Sequence, residues 1–342
     1  MWPTAGDSFR NGFLELQVAA VRSTGVDCDV FVIQNQSPGP LGYLRTAVGL
    51  TRIVASGGYD VVHAHYGLTG AACLLQKRPL VVTLHGSDIN GAVNTRGQTT
   101  LKGRFESLIS RAVARRADVV IAVSARMASL IPRAQPEVVP IGIDTELFHP
   151  IDRAVARREL GLDQSRPYAL FAADPENRIK RHWLAEQAIS LLQAEIPEVE
   201  LVTVVGEPLE RMPLWMNATD LLLITSHYEG GPMIHREAMA CNLPVISVDV
   251  GDVAIHLNGV TPSRVVDDSP SALANAMRPI VETRMRSNGR PKAEETSAVS
   301  TAEAIREIYR RLCRDAVEPS RLRTTDASGG SELELTQRLA DD

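Results

Sequence analysis

The sequence predicts an α/β chain built from two doubly wound domains facing one another across a cleft. Three observations carry that expectation. Short apolar runs of strand length alternate with amphipathic stretches of helix length along most of the 342 residues, the pattern of a mostly parallel sheet covered on both faces. The strand candidates are apolar throughout, as in DVVIAVS and DLLLITS, which suits strands buried on both sides. The length and a hydrophobic content of 44% allow two cores of ordinary size.

The elements follow in order. Met1–Arg10 reads as loop, although a doubly wound domain normally opens on a strand. The first domain is therefore expected to lack its first strand, or the true start lies upstream of Met1. A helix runs from Gly12 to about Thr24, then a strand at Asp29–Gln34, a proline–glycine loop at Ser37–Gly42 and a helix at Leu41–Ser56. DVVHAH (Asp60–His65) is a strand, Gly67–Leu75 a helix, and Pro79–Leu84 a strand that ends in HGSD. After a small-residue loop, Leu101–Arg116 is a basic helix, Asp118–Ser124 a strand whose Ser124 caps the next helix, and Val138–Asp144 the closing strand. The linker and first helix of the second unit lie in His149–Leu162. Strands follow at Tyr168–Asp174, Glu200–Gly206, Asp220–Ser226, Pro244–Val250 and Arg264–Val266. Helices are expected at Lys180–Glu195, Pro208–Asn217, Pro232 to about Cys241, Ser271–Arg284 and Thr301–Arg314. This divides the chain into residues 1–148, residues 149–316 with the last helix free to pack back on the first domain, and an acidic, small-residue tail at 317–342 expected to be disordered.

The chemistry concentrates in Ser226–Gly251, SHYEGGPMIHREAMACNLPVISVDVG. Gly230, Gly231 and Pro232 break a buried strand, and the helix that follows points backbone N–H groups above the sheet, a setting for phosphate. Glu229 stands before the loop and Glu237 in the helix, where a carboxylate can accept hydrogen bonds from ribose hydroxyls. Lysine is rare here, four (Lys77, Lys102, Lys180, Lys292) of the 36 basic residues, so Lys180, after a strand end and before a helix, is singled out as an anion partner.

Glu229 and Glu237 with EGGP, EAMA and LPV around them resemble the nucleotide-sugar signature of glycosyltransferase family 4, retaining enzymes of the GT-B fold with two Rossmann-like domains. The resemblance runs from about Gly12 to Arg314 and is densest from Tyr168 to Gly251. It implies that Glu237 holds the donor ribose, that Glu229 contacts the transferred sugar, and that backbone N–H groups of Gly230, Gly231, Pro232's neighbours Met233 and Ile234 meet sugar hydroxyls. It implies that Lys180 and a companion arginine hold the diphosphate. The position usual for that arginine falls on Asp174 or Pro175, leaving Arg178 or Arg181 as substitutes. In the first domain, His85 of HGSD matches the histidine near the transferred sugar, with Asp88 on the acceptor side. Relatives open with a strand and a glycine-bearing loop, of which only Gly6 and Gly12 remain here. Glu229, His85 and Lys180 are thus the implied catalytic set. The implied reaction moves a sugar, with retention, from a nucleotide-diphosphate sugar to a hydroxyl of a glycan or lipid-linked glycan in cell-surface or exopolysaccharide synthesis. A non-catalytic sugar-nucleotide-binding partner and a nucleotide-sugar epimerase of the same fold are the alternatives.

Composition excludes other classes. A formal charge of −5 argues against nucleic-acid binding. Cys28, Cys73, Cys241 and Cys313 are scattered, reading as core thiols rather than a disulfide frame or zinc site. Asp27-Cys28-Asp29 has the look of a metal-binding acid pair but sits at a strand entrance, and His227 and His235 lack a third ligand, so no metal and no cofactor are expected. His63 and His65 share a strand face by alternation, one expected in the core and one toward the cleft. The opening MWPT carries no leader pattern and no apolar run spans a membrane, so a cytoplasmic protein is expected, with peripheral contact at the inner membrane face left open.

Overall fold

The structure is a computed structural model that describes residues 8–33, 39–91 and 99–316. Its first part contains α1 (Ser8–Ser23), α2 (Gly39–Ser56), β1 (Val62–His65), α3 (Gly67–Ala72), β2 (Leu80–Leu84), α4 (Ser87–Asn90), α5 (Leu101–Ala114), β3 (Val119–Ala122), α6 (Ala125–Ala128) and β4 (Glu137–Val138). The second contains α7 (Arg153–Leu160), β5 (Tyr168–Phe171), α8 (His182–Gln193), β6 (Glu200–Thr203), α9 (Met212–Ala218), β7 (Leu221–Ile224), α10 (Ile234–Ala240), β8 (Val245–Val248), α11 (Val253–Leu257), β9 (Arg264–Val266), α12 (Pro270–Thr283), α13 (Arg290–Glu294) and α14 (Ala298–Ala316).

Two parallel sheets result, β1-β2-β3-β4 and β6-β5-β7-β8-β9. All pairings are parallel, with Val81 opposite Val119 in the first sheet and Leu222 opposite both Leu170 and Val245 in the second. Strands of this kind are buried on both faces, and β2, β5, β7 and β8 are buried at every residue. The fold is the pair of doubly wound Rossmann-like domains that the alternation predicts.

The helix ends obey local chemistry. Thr100 caps α5 by accepting from Gly103 N at 3.0 Å, and Ser124 caps α6 by accepting from Met127 N at 3.2 Å. Gly161 ends α7 at φ 67°, a left-handed residue that glycine adopts without strain. Asn242, just past the end of α10, takes the left-handed conformation at φ 54° that commonly follows a helix.

α14 belongs by sequence to the end of the chain but packs on the first sheet. Its Ala302, Ile305 and Ile308 join Val81 and Ile121 of that sheet, Val139 just after β4, and Ala20 and Val21 of α1 in one cluster.

Four expectations need correction. The strand at Asp29–Gln34 does not form through residue 33, and Gln34 lies outside the described residues. Val30, Phe31 and Val32 are 37%, 37% and 43% exposed, and an apolar run becomes a strand only beside another strand's hydrogen-bonding edge. Among the described residues no strand precedes Val62. Val138–Asp144 pairs only at Glu137–Val138, after which Ile143 turns to bridge Ser297 in front of α14. The donor helix starts at Ile234, so Pro232 lies in the loop rather than at the first helical position. Lys180 precedes α8, whose N-cap is Arg181 in the left-handed region at φ 52°. Sequence reading also missed the short helices α4, α11 and α13. Gly6 and the tail at 317–342 lie outside the described residues.

Candidate functional site

Sheet order decides which loops meet. In parallel sheets the loops after the strands gather at one end, and neighbouring strands bring their loops side by side. β5 and β7 are neighbours, so the turn after β5 that carries Lys180 lies beside the glycine loop after β7. Lys180 Nζ donates to Glu229 Oε1 at 2.5 Å, with both side chains partly buried. The turn is tied down by its backbone. His227 N donates to Ile179 O at 2.8 Å, and Thr225 Oγ1 donates to the Lys180 carbonyl at 2.7 Å.

The two substitute arginines part company. Arg181 donates to the Thr225 carbonyl at 2.6 Å and pairs with Asp268 at 2.7 Å, which commits its guanidinium to holding the turn. Arg178 is exposed. Gly231 approaches Val123 of the first domain, and the loop after β8 closes the other flank, with Gly251 set against Pro232. Met233 packs against the cores of both domains.

Glu237 is buried in α10. Burial pushes its carboxyl up to about 7, against the opposing pull of the neighbouring Arg236 guanidinium. Arg236 is itself buried and donates to the Ile141 carbonyl of the first domain at 2.6 Å.

The first sheet supplies the opposite wall. β1, β2 and β3 are adjacent, so Tyr66, His85 and Ser124 at their carboxyl ends stand in a row. His85 Nε2 meets His65 Nδ1 at 3.0 Å, while its Nδ1 is buried with no hydrogen-bond partner among the described residues. The ring lies between Tyr66, with centroids 4.4 Å apart, and Phe13 at 5.3 Å. Burial, then the neighbouring His65, holds His85 well below the usual imidazole range, so it is a neutral imidazole. Tyr66 sits at φ 72°, an uncommon conformation for a non-glycine residue and one that collects at functional sites.

His63 and His65 do share a face, with rings stacked 4.6 Å apart. His63 is engaged by Thr83 Oγ1 at 2.7 Å and by Tyr309 Oη of α14 at 2.6 Å. Asp88, assigned by resemblance to the acceptor side, turns its carboxylate onto its own loop. It accepts from Gly86 N at 2.8 Å and from His85 N at 3.1 Å, and so shapes the HGSD turn.

The two walls touch. A Cβ placed on Gly230 would come within 2.8 Å of the His85 carbonyl, and one on Gly86 within 2.9 Å of Gly230 Cα. Glycine at both positions is what allows two backbones to approach this closely. Ser124 Oγ donates to the Gly230 carbonyl at 2.9 Å, Asn90 bonds the Tyr228 hydroxyl, and Asp252 accepts from Ala125 N at 2.7 Å. None of Tyr228, Asn90, Ser124 or Asp252 stands out in the sequence as a site residue. Their partners lie in the other domain, and only Ser124, a visible cap, leaves a local trace.

His235, placed near the donor loop from sequence, is buried against His256 at 2.8 Å. Among the described residues no group of three or more His, Cys, Asp or Glu side chains is arranged to hold a metal ion. No described helix is long and apolar enough to cross a membrane.

Two facing Rossmann-like domains with a glycine loop, a lysine–glutamate pair and a histidine at the junction define the class of GT-B glycosyltransferases. Comparison with known proteins agrees. Residues 5–142 match the Glycosyl transferase 4-like domain and residues 171–283 the Glycosyl transferases group 1 domain, together well over half of the chain. The chain belongs to this glycosyltransferase 4-like family and is a glycosyltransferase. Among curated relatives, a D-inositol 3-phosphate glycosyltransferase 1 of Catenulispora acidiphila is 26% identical, covering 76% of this chain and 74% of the relative. The putative teichuronic acid biosynthesis glycosyltransferase TuaC of Bacillus subtilis is 30% identical, covering 64% of this chain and 60% of its own. Among solved structures, a sucrose-phosphate synthase from Thermosynechococcus elongatus superposes with a TM-score of 0.70 at 21% identity, covering 90% of this chain and 94% of that one. HepE of Anabaena, solved with UDP and glucose, gives a TM-score of 0.65 at 18% identity over 90% and 98% of the two chains.

Proposed function

We propose that the enzyme transfers a sugar from a nucleoside-diphosphate sugar, with retention at the anomeric carbon, to a hydroxyl of a glycan or lipid-linked glycan, in cell-surface or exopolysaccharide synthesis. The observation that carries this reading is the Lys180–Glu229 pair beside the glycine loop, at 2.5 Å. A diphosphate competes with Glu229 for the ammonium group, and the released carboxylate accepts from a sugar hydroxyl. Donor binding thus exchanges one charge pair for two ligand contacts, which keeps neither charge stranded. In the transfer the bond from the anomeric carbon to the diphosphate oxygen breaks and a bond to the acceptor oxygen forms. Lys180 and the loop N–H groups face the charge that develops on the leaving diphosphate, and Glu237 takes the ribose diol. His85, neutral and buried at Gly230, contacts the transferred sugar. No metal or cofactor is required in this scheme. Names among the relatives support the substrate class: inositol phosphate and teichuronic acid enzymes in sequence, and structures holding UDP and UDP-glucose in fold.

The acceptor side carries a membrane-facing surface in the same reading. Leu101, Phe105 and Leu108 lie along one face of α5 and are 83%, 64% and 65% exposed, with Lys102 and Arg104 between them. An apolar stripe with basic flanks is what anionic lipid attracts, and it would bring the cleft to a lipid-linked acceptor.

The test is binding and turnover with UDP-, GDP-, ADP- and TDP-sugars for the wild type and for Lys180→Ala. One base class should stabilise the wild type and not the variant, with slow sugar release, and the product's anomeric configuration should match the donor's. A folded protein that ignores every donor overturns the reading. Donor binding with no transfer to any acceptor leaves a sugar-nucleotide binder instead.

A further inference from the structure

A second concentration of charge lies on the side of the second domain away from the cleft. Asn217 and Asp220 precede β7, and Cys241 and Asn242 precede β8, so they stand at the amino ends of the strands, opposite the loops of Lys180 and Glu229. A cavity of about 350 Å³ opens there between Ile151 of the interdomain linker, Arg153 at the start of α7, Asn217, Asn242, and Arg284 and Arg286 after α12.

Four guanidinium groups gather around one carboxylate. Arg153 and Arg157 take the two oxygens of fully buried Asp220, each at 3.0 Å. Arg284 and Arg286 have no acidic partner among the described residues. Arg286 donates to the carbonyls of Asn217 at 2.6 Å and Thr219 at 2.9 Å, and Arg284 donates to those of Gln164 and Ser165. Arg153 also donates to the Arg284 carbonyl at 2.9 Å, and its Nε is buried without a hydrogen-bond partner among the described residues. Burial and then the charge of Arg153 lower Arg286 to about 10. Bracing of α9's last carbonyls accounts for the position of Arg286. It does not balance the charge, because carbonyl ends supply only a fraction of an electron charge. The three arginines that line the cavity and Arg157 behind them face one carboxylate, a surplus of three charges that a dianion would reduce to one.

We propose that this cavity is a binding site for the phosphoryl group of a small phosphorylated metabolite, separate from the donor site. Guanidinium N–H groups are strong donors to phosphate oxygens, and a partly dehydrated cluster favours the dianion. The cavity, about 350 Å³ and open to solvent, leaves room for an organic body beside the phosphoryl group. Arg153 opens α7 just after the chain's first crossing between the domains, and Arg284 and Arg286 lead into α13 and the second crossing to α14. An occupant therefore braces both connections.

The experiment uses the full chain and compares inorganic phosphate and glucose 6-phosphate with sodium chloride of equal ionic strength. Melting temperature should rise by roughly 5 °C near saturation in the wild type, and equally in Lys180→Ala. The rise should vanish in Arg284→Gln, and glucose 6-phosphate should act at a concentration at least fivefold below that of phosphate. Modification of the wild type by phenylglyoxal, read peptide by peptide, covers the case in which Arg284→Gln folds poorly. Phosphate should protect Arg284 from the reagent. A shift that disappears in Lys180→Ala, one that survives in folded Arg284→Gln, or an Arg284 left unprotected overturns the proposal. Donor-sugar binding is unaffected by any of these outcomes, so the proposed transfer stands or falls on its own test.

Discussion

Glu237, the residue proposed to take the donor ribose, would couple donor binding to pH through its burial. Its folded carboxyl sits at about 7, above the ordinary value near 4.3, so the folded state favours the protonated form. That contribution is complete below the ordinary value and is lost as pH rises through about 7. Glu237→Gln should therefore flatten the pH dependence of stability across this window and be the more stable protein at pH 8, by up to roughly 3 kcal/mol in urea titration. The same substitution should weaken donor binding, and wild-type affinity should climb as pH rises through about 7, because only the carboxylate accepts from both ribose hydroxyls. Affinity that is flat across that range would remove Glu237 from the donor site. Lys180 and Glu229 should behave as a coupled pair. Lys180→Ala and Glu229→Ala each reduce kcat/KM by about 100-fold or more, and the double variant is no worse than the poorer single one, since both act on one charge exchange.

Elements set the distances between these residues. The loops after β2 and β7 meet as bare backbone at Gly86 and Gly230, where an added Cβ lies under 3.0 Å from the facing chain. Gly230→Ala should hold the loops apart and lower kcat at least tenfold, with a melting temperature within a few degrees of wild type. A unchanged kcat would mean that the contact does not persist during turnover. At the amino end of β7, Asp220 accepts from Tyr168 N at 2.8 Å and neutralises Arg157, whose side chain is fully buried. Asp220→Ala leaves that charge unpaired and should cost about 3–5 kcal/mol in denaturant unfolding. On α5, Phe105→Ser should diminish sedimentation with anionic vesicles without altering stability, while uncharged vesicles should bind neither protein. Equal binding of wild type and variant would assign α5 to another surface.

At the scale of the whole molecule, the last helix holds the domains together. Ile305 and Ile308 of α14 are buried against strands of the first sheet, so a chain ending before Ala298 should expose that core and aggregate on expression. Ile308→Ala should cost about 2–5 kcal/mol and report on the first domain, although its codon lies among those of the second. Much of this organisation was legible beforehand. Strand–helix alternation requires two parallel sheets, because apolar strands joined by amphipathic helices can bury both faces in no simpler way. The glycine loop, Glu229, Glu237 and Lys180 are readable because their spacing follows from one strand–loop–helix unit and its neighbour. What the sequence could not supply is whatever depends on a distant partner. Val30–Val32 has the composition of a strand and pairs with no strand in the described structure, and Arg181 has the charge for a diphosphate but is taken by Thr225 and Asp268. His65 against His85, Gly86 against Gly230 and the arginines around Asp220 come together across gaps of 20 to 144 residues. Local periodicity determines which segments become strands and helices; sheet order and domain contact, set by burial of the whole chain, decide which of their ends share a site.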